Sequence, residues 1–501
     1  MSRVKLRLSG GLAFAANLVG YLTGFIFTVL ITRRLSAEEF GVWALISSLI
    51  VYSLIPYDLV GSWIMRDAAR GKKVLDTALA LCLLLSPISI LIYILSGIGS
   101  ASAINYDAAI ILLGLMVLAP YISLSMASAI QRGYMPQRIG VSRIIFEISK
   151  VLFAFFFLIL LGLRLIGALL SLSLAYAIQA GLLLYNSKSL RQKINTGWIL
   201  KWLKGAPANV INVLNKALSA TNIILMSVIL GNAAIAGYWQ AAVSASALVT
   251  SSKLLATGLG ARLLSGGTQR DVDKSFSFCM MLAIPLLLGF LILSKDLLWL
   301  LNPIYSSAWI AACILAVAGL TRFIGSMEAT ILIGTDEFDR GDVIAFKDYL
   351  KSRVFMVNGL RTMLTGLNLA TVAAYLIIVG RAVSMVEAIT SIAAINLMWA
   401  IAGAVINLKL MRDMTSFRLN LSTLKPYLAS ATIMALAIYA LREALGFRPA
   451  RALEAGCQIL LLVIIGGAIY GGVLYLISKE FRRFLREVRN FINSYKLTDI
   501  L

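Results

Sequence analysis

Residues 30–52 read LITRRLSAEEFGVWALISSLIVY and contain the boundary between two long apolar stretches. The first stretch ends at Arg33 and Arg34, and a short polar turn with Glu38 and Glu39 leads into the second. Acidic residues are favourable in the first turn of a helix because they face the positive end of its dipole. The segment therefore predicts two consecutive helices joined by a tight turn.

The rest of the chain repeats this alternation of apolar stretch and short loop. A window of about nineteen residues resolves about fourteen stretches long enough to cross a bilayer. Apolar residues make up 60% of the chain and charged residues 14%, so no segment is large enough for a separate soluble domain. We predict an all-α integral membrane protein. The predicted spans are 10–32, 40–64, 74–97, 108–130, 141–163, 165–186, 206–230, 233–256, 276–300, 308–333, 354–379, 383–408, 427–446 and 455–477.

Longer polar segments divide these spans into groups of six, six and two. The predicted units are an N-lobe at 1–186, a cytoplasmic linker at 187–205, a C-lobe at 206–408, an extra helix pair at 409–477 and an amphipathic cytoplasmic tail at 478–501. A six-plus-six layout is typical of two pseudo-symmetric halves around a central site. A single irregular bundle is the alternative interpretation.

The net charge of +22 has a topological explanation. Basic residues gather in the segments that are internal when the N-terminus is placed inside, as in the run Arg66, Arg70, Lys72 and Lys73. This is the positive-inside pattern, so the charge predicts no nucleic-acid partner.

In the tail, aromatic and aliphatic residues alternate with arginines at helical spacing over 479–495, which predicts a helix on an anionic membrane surface. We expect a multi-pass protein of the cell membrane with both termini cytoplasmic.

Several kinds of chemistry are disfavoured by the residues present. The chain has no histidine, and its four cysteines, each isolated in an apolar stretch, fit neither a zinc site nor a disulfide framework. No phosphate-binding loop of the Gly-x-x-x-x-Gly-Lys-[Ser/Thr] type is present. We therefore expect no metal, no cofactor and no enzymatic activity.

Two motifs carry a family resemblance. The turn LSAEEFG at 35–41 and the segment ILGNAAIAGYWQAA at 229–242 resemble helix-entry motifs of polysaccharide and oligosaccharide-lipid flippases of the MOP superfamily. The loop at 333–355 resembles the inner loop of archaeal members. The resemblance extends over the chain in span count, orientation and loop placement.

The resemblance implies a fold and a function. Two six-helix lobes would surround a central cavity, with an extra helix pair on one side, and the protein would act as a monomer. It would move a polyprenyl-linked saccharide to the outer leaflet by alternating access, among membrane lipids and alongside glycosyltransferases or a polymerase of the same pathway. Multidrug members usually have twelve spans, so the pair at 427–477 favours the lipid-linked branch.

Polar residues are concentrated in the seventh predicted span. Six of them share an arc of about 140° on a helical wheel. They are Asn209, Asn212, Asn215, Lys216, Ser219 and Asn222. Lys216 lies about 15 Å into the span, too deep for its ammonium to reach the surface easily. Either the arc lines a cavity, or the asparagines bond to neighbouring helices and Lys216 pairs with an acid.

Charged residues in three further spans are candidates. In span five, Glu147 is spaced to pair with both Arg143 and Lys150 on the same helix. Alternatively the span lines the cavity, and Lys150 is left free when Glu147 pairs with Arg143. In span ten, Arg322 and Glu328 lie on different faces, so Arg322 is expected to face the cavity. Arg361 in span eleven either joins it or extends to the membrane surface.

Spans one and two contribute the remaining candidates. Asp58 follows Pro56, which can kink the helix. Its carboxylate binds a coupling proton or sodium ion, pairs with Arg66, or lies close enough to the inner interface to be hydrated. Asn17 and Tyr21 share a face of span one, next to glycines suited to close helix packing.

The acidic residues of the loop at 334–353 have a simple interpretation. Asp336, Asp339 and Asp342 are interleaved with basic residues, so we interpret the loop as solvated rather than as a metal–nucleotide site.

Together these residues predict a cationic cavity for the phosphate or pyrophosphate of a lipid-linked saccharide. Lys216, Lys150, Arg322 and Arg361 would neutralise the headgroup, while Asn209, Asn212, Asn215, Asn222, Asn17 and Tyr21 would bond to sugar hydroxyls. Asp58, Glu147 and Glu328 are the candidates for ion coupling. The alternatives are a multidrug or cation antiporter of the same superfamily, which would want acidic groups in its cavity, and an integral-membrane glycosyltransferase or polymerase, which would want a large catalytic outer loop.

Overall fold

The computed structural model is helical throughout the part of the chain that it describes. It describes residues 6–185, 187–256, 259–264, 266–336, 352–447, 449, 451–483 and 485–486. The predicted tail from residue 487 onward, and Asp339 and Asp342 of the acidic loop, lie outside these ranges. The helices are α1 Leu6–Arg34, α2 Ala37–Ser53, α3 Ile55–Ala69, α4 Leu75–Ala103, α5 Ala108–Leu112, α6 Leu115–Tyr134, α7 Gln137–Ala154, α8 Arg164–Tyr185, α9 Thr196–Gly205, α10 Val210–Leu230, α11 Ala233–Ser246, α12 Leu259–Leu264, α13 Gln269–Leu301, α14 Trp309–Gly334, α15 Arg353–Tyr375, α16 Met385–Met414, α17 Leu424–Leu445 and α18 Ala452–Ile477.

These helices make the chain a multi-pass membrane protein. Within the described residues, ten helical segments are long and apolar enough to cross a membrane, and the bent pair α2–α3 makes an eleventh if it counts as one span. The predicted spans 10–32, 141–163 and 233–256 fall on α1, α7 and α11, outside that set. The count of fourteen spans therefore stays a prediction.

The turn at 35–41 forms as its residues predict. Ser36 caps α2 by accepting a hydrogen bond from the Glu39 backbone N–H, and the Glu39 carboxylate accepts one from the Ser36 N–H. This reciprocal pair satisfies two of the donors that a helix start leaves free. Seventeen residues later the helix breaks at Leu54, and α2 and α3 meet at 53° with Pro56 in the first turn of α3. The predicted proline kink is present.

The helices pack in two neighbourhoods, one in each half of the chain. In the first half, α7 packs on α1 and α8, and α6 packs on α3 and α8. In the second half, α14 packs along α16, and α15 lies against α10. The last two helices, α17 and α18, pack on each other and on α13.

The two halves meet at the end where α2 and α11 begin, which we call the closed end. A Cβ atom at Gly41 of α2 would overlap the carbonyl oxygen of Ala233, and one at Gly237 of α11 would overlap the carbonyl oxygen of Ala37. The contact is reciprocal because each glycine lies five residues after its helix cap, Ser36 or Asn232. Only glycine permits so close an approach of two helix backbones.

Polar contacts tie α1 to α13 at the same end. Arg33 donates from Nε to the carbonyl of Leu300 at 3.0 Å and from Nη2 to that of Trp299 at 2.7 Å. Thr32 Oγ1 donates to the Leu301 carbonyl at 2.9 Å, and Asn302 Nδ2 donates to the Thr32 carbonyl at 2.8 Å. A guanidinium at the C-terminus of α13 satisfies carbonyls that the helix leaves free and suits its dipole.

The charged residues of span five pair inside the first half of the chain. Lys150 Nζ lies 2.6 Å from Glu147 Oε2, while Arg143 Nε is 3.8 Å from Glu147 Oε1. Thr23 Oγ1 of α1 donates to Glu147 at 2.8 Å, and Lys150 lies 5.2 Å over the ring of Phe27. Glu147 and Lys150 are buried, so this pair joins α7 to α1.

This buried pair makes a prediction about stability. Glu147→Leu leaves the Lys150 ammonium buried without its counter-charge, and we expect the free energy of unfolding to fall by about 3–5 kcal/mol. The double variant Glu147→Leu/Lys150→Met removes both charges and should unfold closer to the wild type. Thermal unfolding in detergent measures both. Equal losses in the single and double variants would contradict the prediction.

Candidate functional site

A polar cavity lies among helices of the second half of the chain, and we call it the arginine cavity. Its volume is about 400 Å³. It is lined by polar residues from four helices: Asn215, Ser219 and Asn222 of α10, Arg322, Ser326 and Thr330 of α14, Asn358, Arg361, Thr365 and Asn368 of α15, and Asn396, Trp399 and Asn407 of α16. Glycine, alanine and aliphatic residues complete the wall.

Two arginines make the wall of this cavity positively charged. Arg322 and Arg361 both line it and both are exposed. Among the described residues, neither forms an ion pair with a carboxylate, and no carboxylate lines the cavity. Arg322 Nε donates to the Ala318 carbonyl of its own helix at 3.3 Å, which leaves its other guanidinium N–H groups available. The cavity can therefore receive an anion.

Side-chain amides form most of its polar wall. Thr365 Oγ1 donates to Asn215 Oδ1 at 3.0 Å, which joins α15 to α10. Asn368 Nδ2 donates to Asn396 Oδ1 at 3.1 Å, and Asn396 Nδ2 donates to the Ile392 carbonyl at 2.9 Å. The amide wall is thus partly held in place by its own hydrogen bonds.

A smaller cavity lies between the halves, and we call it the lysine cavity. Its volume is about 300 Å³, and it is lined by Tyr57, Asp58, Gly61, Ser62 and Met65 of α3, Ser125, Ala129 and Arg132 of α6, and Asn209, Asn212, Val213 and Lys216 at the start of α10. Lys216 Nζ lies 2.5 Å from Asp58 Oδ2, an ion pair between residues 158 positions apart. Asn209 Nδ2 donates to Ser62 at 2.6 Å and to the Leu59 carbonyl at 2.7 Å.

Both cavities lie away from the closed end. The helix α10 begins at the lysine cavity and ends at Gly231, beside the start of α11 at the closed end. Arg361 lies near the start of α15, and Arg322 near the middle of α14. The two halves are therefore in close contact at the closed end, and both cavities lie toward the opposite end.

The predicted polar arc of span seven is divided between these cavities. Asn209, Asn212 and Lys216 line the lysine cavity, whereas Asn215 and Asn222 line the arginine cavity together with Ser219. One helix thus forms part of both walls.

Other candidates lie elsewhere. Lys150 is buried against Glu147 and lines neither cavity, so the expectation that Lys150 is left free is not what the structure shows. Asp58 pairs with Lys216 rather than with Arg66, whose guanidinium lies over Trp63 instead. Lys150 keeps the partner on its own helix that its spacing allowed, whereas Asp58 takes a partner from another helix that packing supplies.

Four residues named in the sequence analysis lie apart from the cavity walls. Asn17 and Tyr21 are half-buried on α1 and line neither cavity. Glu328 is buried on α14, and its Oε2 has no hydrogen-bond partner among the described residues. Asp336, from the acidic loop, accepts a hydrogen bond from the Arg353 backbone N–H at 2.7 Å.

Sequence reasoning missed several residues of the walls. Asn358, Thr365 and Asn368 follow the face of Arg361 along α15, at offsets of three, four and seven residues. Asn396 and Asn407 are eleven residues apart, three turns of α16, and Trp399 lies on the same side. This helical spacing of amides was a detectable signal. Arg132 of the lysine cavity carried none, because it ends an apolar helix as many surface arginines do.

Solved transporters share this fold. A multidrug resistance MATE family transporter of the MOP superfamily, inward-facing, matches with a TM-score of 0.59 and 12% identity over 81% of this chain and 98% of that chain. The lipid II flippase MurJ in an inward closed conformation matches with a TM-score of 0.62 and 12% identity over 94% of this chain and 99% of that chain. An outward-facing MATE transporter of the same superfamily matches with a TM-score of 0.51 and 15% identity, over 81% and 96%.

The likeness is confined to structure. No family profile matches the sequence, and no curated protein matches it. Identities of 12–15% establish architecture only. The chain has the helical membrane fold of the MATE transporters and of the flippase MurJ.

Proposed function

We propose that this protein is a flippase for a polyprenyl-(pyro)phosphate-linked saccharide. It would carry the headgroup from the cytoplasmic to the outer leaflet by alternating access, while the lipid tail stays in the membrane. The observation that carries the proposal is the arginine cavity, whose described lining contains Arg322 and Arg361 and no carboxylate.

The charge of this cavity selects for an anion. An unpaired arginine in a membrane-embedded site is costly unless water or an anionic ligand surrounds it. Guanidinium groups bind phosphate through parallel N–H···O bonds, and such charge-assisted bonds are about twice as strong as neutral ones. Two arginines match the charge of a phosphate or pyrophosphate headgroup, with amides left over for its sugar.

The lysine cavity contributes a further cation, Lys216, which is held in an ion pair. Lys216 is held by Asp58, and both side chains remain partly exposed, at 46% and 26%. An incoming phosphate can compete with Asp58 for Lys216, and Arg132 in the same wall adds a further positive charge. The ion pair therefore keeps Lys216 neutralised until an anion arrives.

The extent of structural similarity also supports this function. MurJ, a lipid II flippase by its description, matches 94% of this chain, whereas the MATE transporters match 81%. The chain contains α17 and α18 after the twelve predicted spans of its lobes, which suits the lipid-linked branch of the superfamily.

The membrane potential could drive the transport. With an inside-negative potential, outward movement of the headgroup would gain about 2.3 kcal/mol per negative charge per 100 mV.

A multidrug cation antiporter is the second candidate. Its specific support is Asp58, a carboxylate in the wall of the lysine cavity, together with the MATE structures that share the fold. A cationic drug would have to displace Lys216 from Asp58 and avoid the two unpaired arginines. The charge balance of the two walls is therefore less favourable for a cation.

Reconstitution distinguishes the two functions. Proteoliposomes containing the wild-type protein are given a fluorescent polyprenyl-pyrophosphate oligosaccharide, and in parallel the cationic dye ethidium. We expect the lipid to cross between leaflets and ethidium not to be accumulated. Dye accumulation under a proton or sodium gradient, without lipid movement, would favour the antiporter.

Removal of the Asp58 carboxylate should strengthen anion binding. In Asp58→Asn, Lys216 loses its counter-ion, so inorganic pyrophosphate no longer competes with a carboxylate. The effect is modest, about threefold to fivefold in affinity, because exposed ion pairs contribute at most about 1 kcal/mol. Calorimetric titration of the purified protein with pyrophosphate measures it. Weaker binding in Asp58→Asn than in the wild type would contradict the competition.

A further inference from the structure

The wall of the arginine cavity contains neutral polar side chains as well as its two arginines. Arg361 lies about 12 Å along α15 from its start, and Asn368 about 22 Å. Asn222, Asn368, Asn396 and the indole of Trp399 are neutral polar groups of the same wall, and we call them the amide zone. The wall thus carries a group of amides beside its two arginines.

The amide zone has unused hydrogen-bonding capacity. Asn368 is 9% exposed, and its Oδ1 is buried without a hydrogen-bond partner among the described residues. Asn222 Oδ1 on α10 and Asn407 Oδ1 on α16 are also buried without a hydrogen-bond partner among the described residues. Buried polar atoms in native proteins are nearly always bonded, so three in one cavity wall call for an explanation. All three side chains line the arginine cavity.

Trp399 adds a flat apolar surface beside these amides. Its Nε1 donates to Thr371 Oγ1 at 3.2 Å, which fixes the orientation of the indole. The ring lines the cavity and is half-buried. A fixed aromatic face next to amides that both donate and accept suits a sugar ring, which has apolar C–H faces and a rim of hydroxyl groups.

We infer that the amide zone formed by Asn222, Asn368, Asn396 and Trp399 is a saccharide subsite. It binds the sugar next to the phosphate, while Arg322 and Arg361 hold the phosphate itself. This rests on the proposed function and assigns the two parts of the headgroup to two zones of one cavity. The subsite makes the protein selective for lipid that carries a sugar over bare lipid phosphate.

The test compares two lipids on the full-length protein in nanodiscs. Polyprenyl pyrophosphate is titrated with and without an attached saccharide, and affinities are read by native mass spectrometry. We expect the wild type to bind the saccharide-bearing lipid about tenfold more tightly, the size of one or two added hydrogen bonds. The variant Asn368→Leu/Asn396→Leu, which removes both members of a bonded pair, should lose this preference and keep its affinity for the bare lipid.

Two further variants keep the result interpretable. Thr432→Val changes a polar residue of α17 that lines neither cavity, and it should retain the preference. Trp399→Leu removes the stacking face and should reduce it independently of the amides. If the wild type binds both lipids equally, or if the double variant keeps the preference, the subsite is refuted and the flippase proposal stands. If the wild type binds neither lipid, the proposed function itself fails.

Discussion

Affinity for a pyrophosphate headgroup should fall about a hundredfold or more when Arg322 and Arg361 are both replaced by Gln. Each arginine offers a charge-assisted hydrogen bond, which contributes about 1.5–3 kcal/mol, and two such losses correspond to a hundredfold change at the low end. Glutamine keeps a polar side chain but lacks the guanidinium group and its charge, so the loss reports on that group. Calorimetric titration with inorganic pyrophosphate or with the lipid-linked saccharide measures the effect.

Charge outside the cavity provides the matched control. Arg381 is exposed in the same half of the chain, and its guanidinium donates to the Ile229 carbonyl away from both cavities. Arg381→Gln removes one positive charge without touching the walls, and its affinity should stay within about twofold of the wild type. If Arg381→Gln lowers affinity as much as the cavity variants do, the effect is one of overall charge and the cavity assignment is wrong.

The second large effect is expected at the closed end. Gly41→Ala places a methyl group where the Ala233 carbonyl oxygen lies, and Gly237→Ala does the same at Ala37. Both contacts are with backbone atoms, so no side chain can move aside. The start of α2 must separate from the start of α11, and the closed end is destabilised. We expect transport to fall about tenfold or more, because alternating access needs both ends to close.

A distance measurement detects this change directly. Spin labels at the exposed positions 38 and 307, in a cysteine-free background, report the separation of the two halves at the closed end. The distance should lengthen in Gly41→Ala and in Gly237→Ala. Gly24→Ala is the control, since a Cβ at Gly24 meets nothing within 4 Å. An unchanged distance in both interface variants would show that this contact does not hold the end closed.

The architecture could be read from local sequence because its signals are local. A Ser cap followed by Glu at the third helical position predicts the start of α2, and Pro56 predicts the bend before α3. Apolar stretches of spanning length predict the membrane helices. Gly41 and Gly237 lie in the two motif segments at 35–41 and 229–242, but their mutual contact is visible only in the structure.

The candidate site could be predicted from the sequence only where its residues share one face of a single helix. The polar arc of α10 was visible as a face, but which neighbour each edge meets depends on tertiary packing. The pairing of Lys216 with Asp58 joins residues 158 positions apart, beyond the reach of helical periodicity. Lys150 illustrates the opposite error, since its local partner Glu147 holds it inside the protein.

The most direct test of the cationic cavity is flipping by the charge-deleted protein. Proteoliposomes with wild type, Arg322→Gln/Arg361→Gln or Arg381→Gln receive a fluorescent polyprenyl-pyrophosphate oligosaccharide, and its movement between leaflets is followed by fluorescence quenching. A rapid wild-type rate, an equal rate for Arg381→Gln and no detectable flipping by the double variant are the predicted results. A double variant that flips the lipid at the wild-type rate would contradict the account.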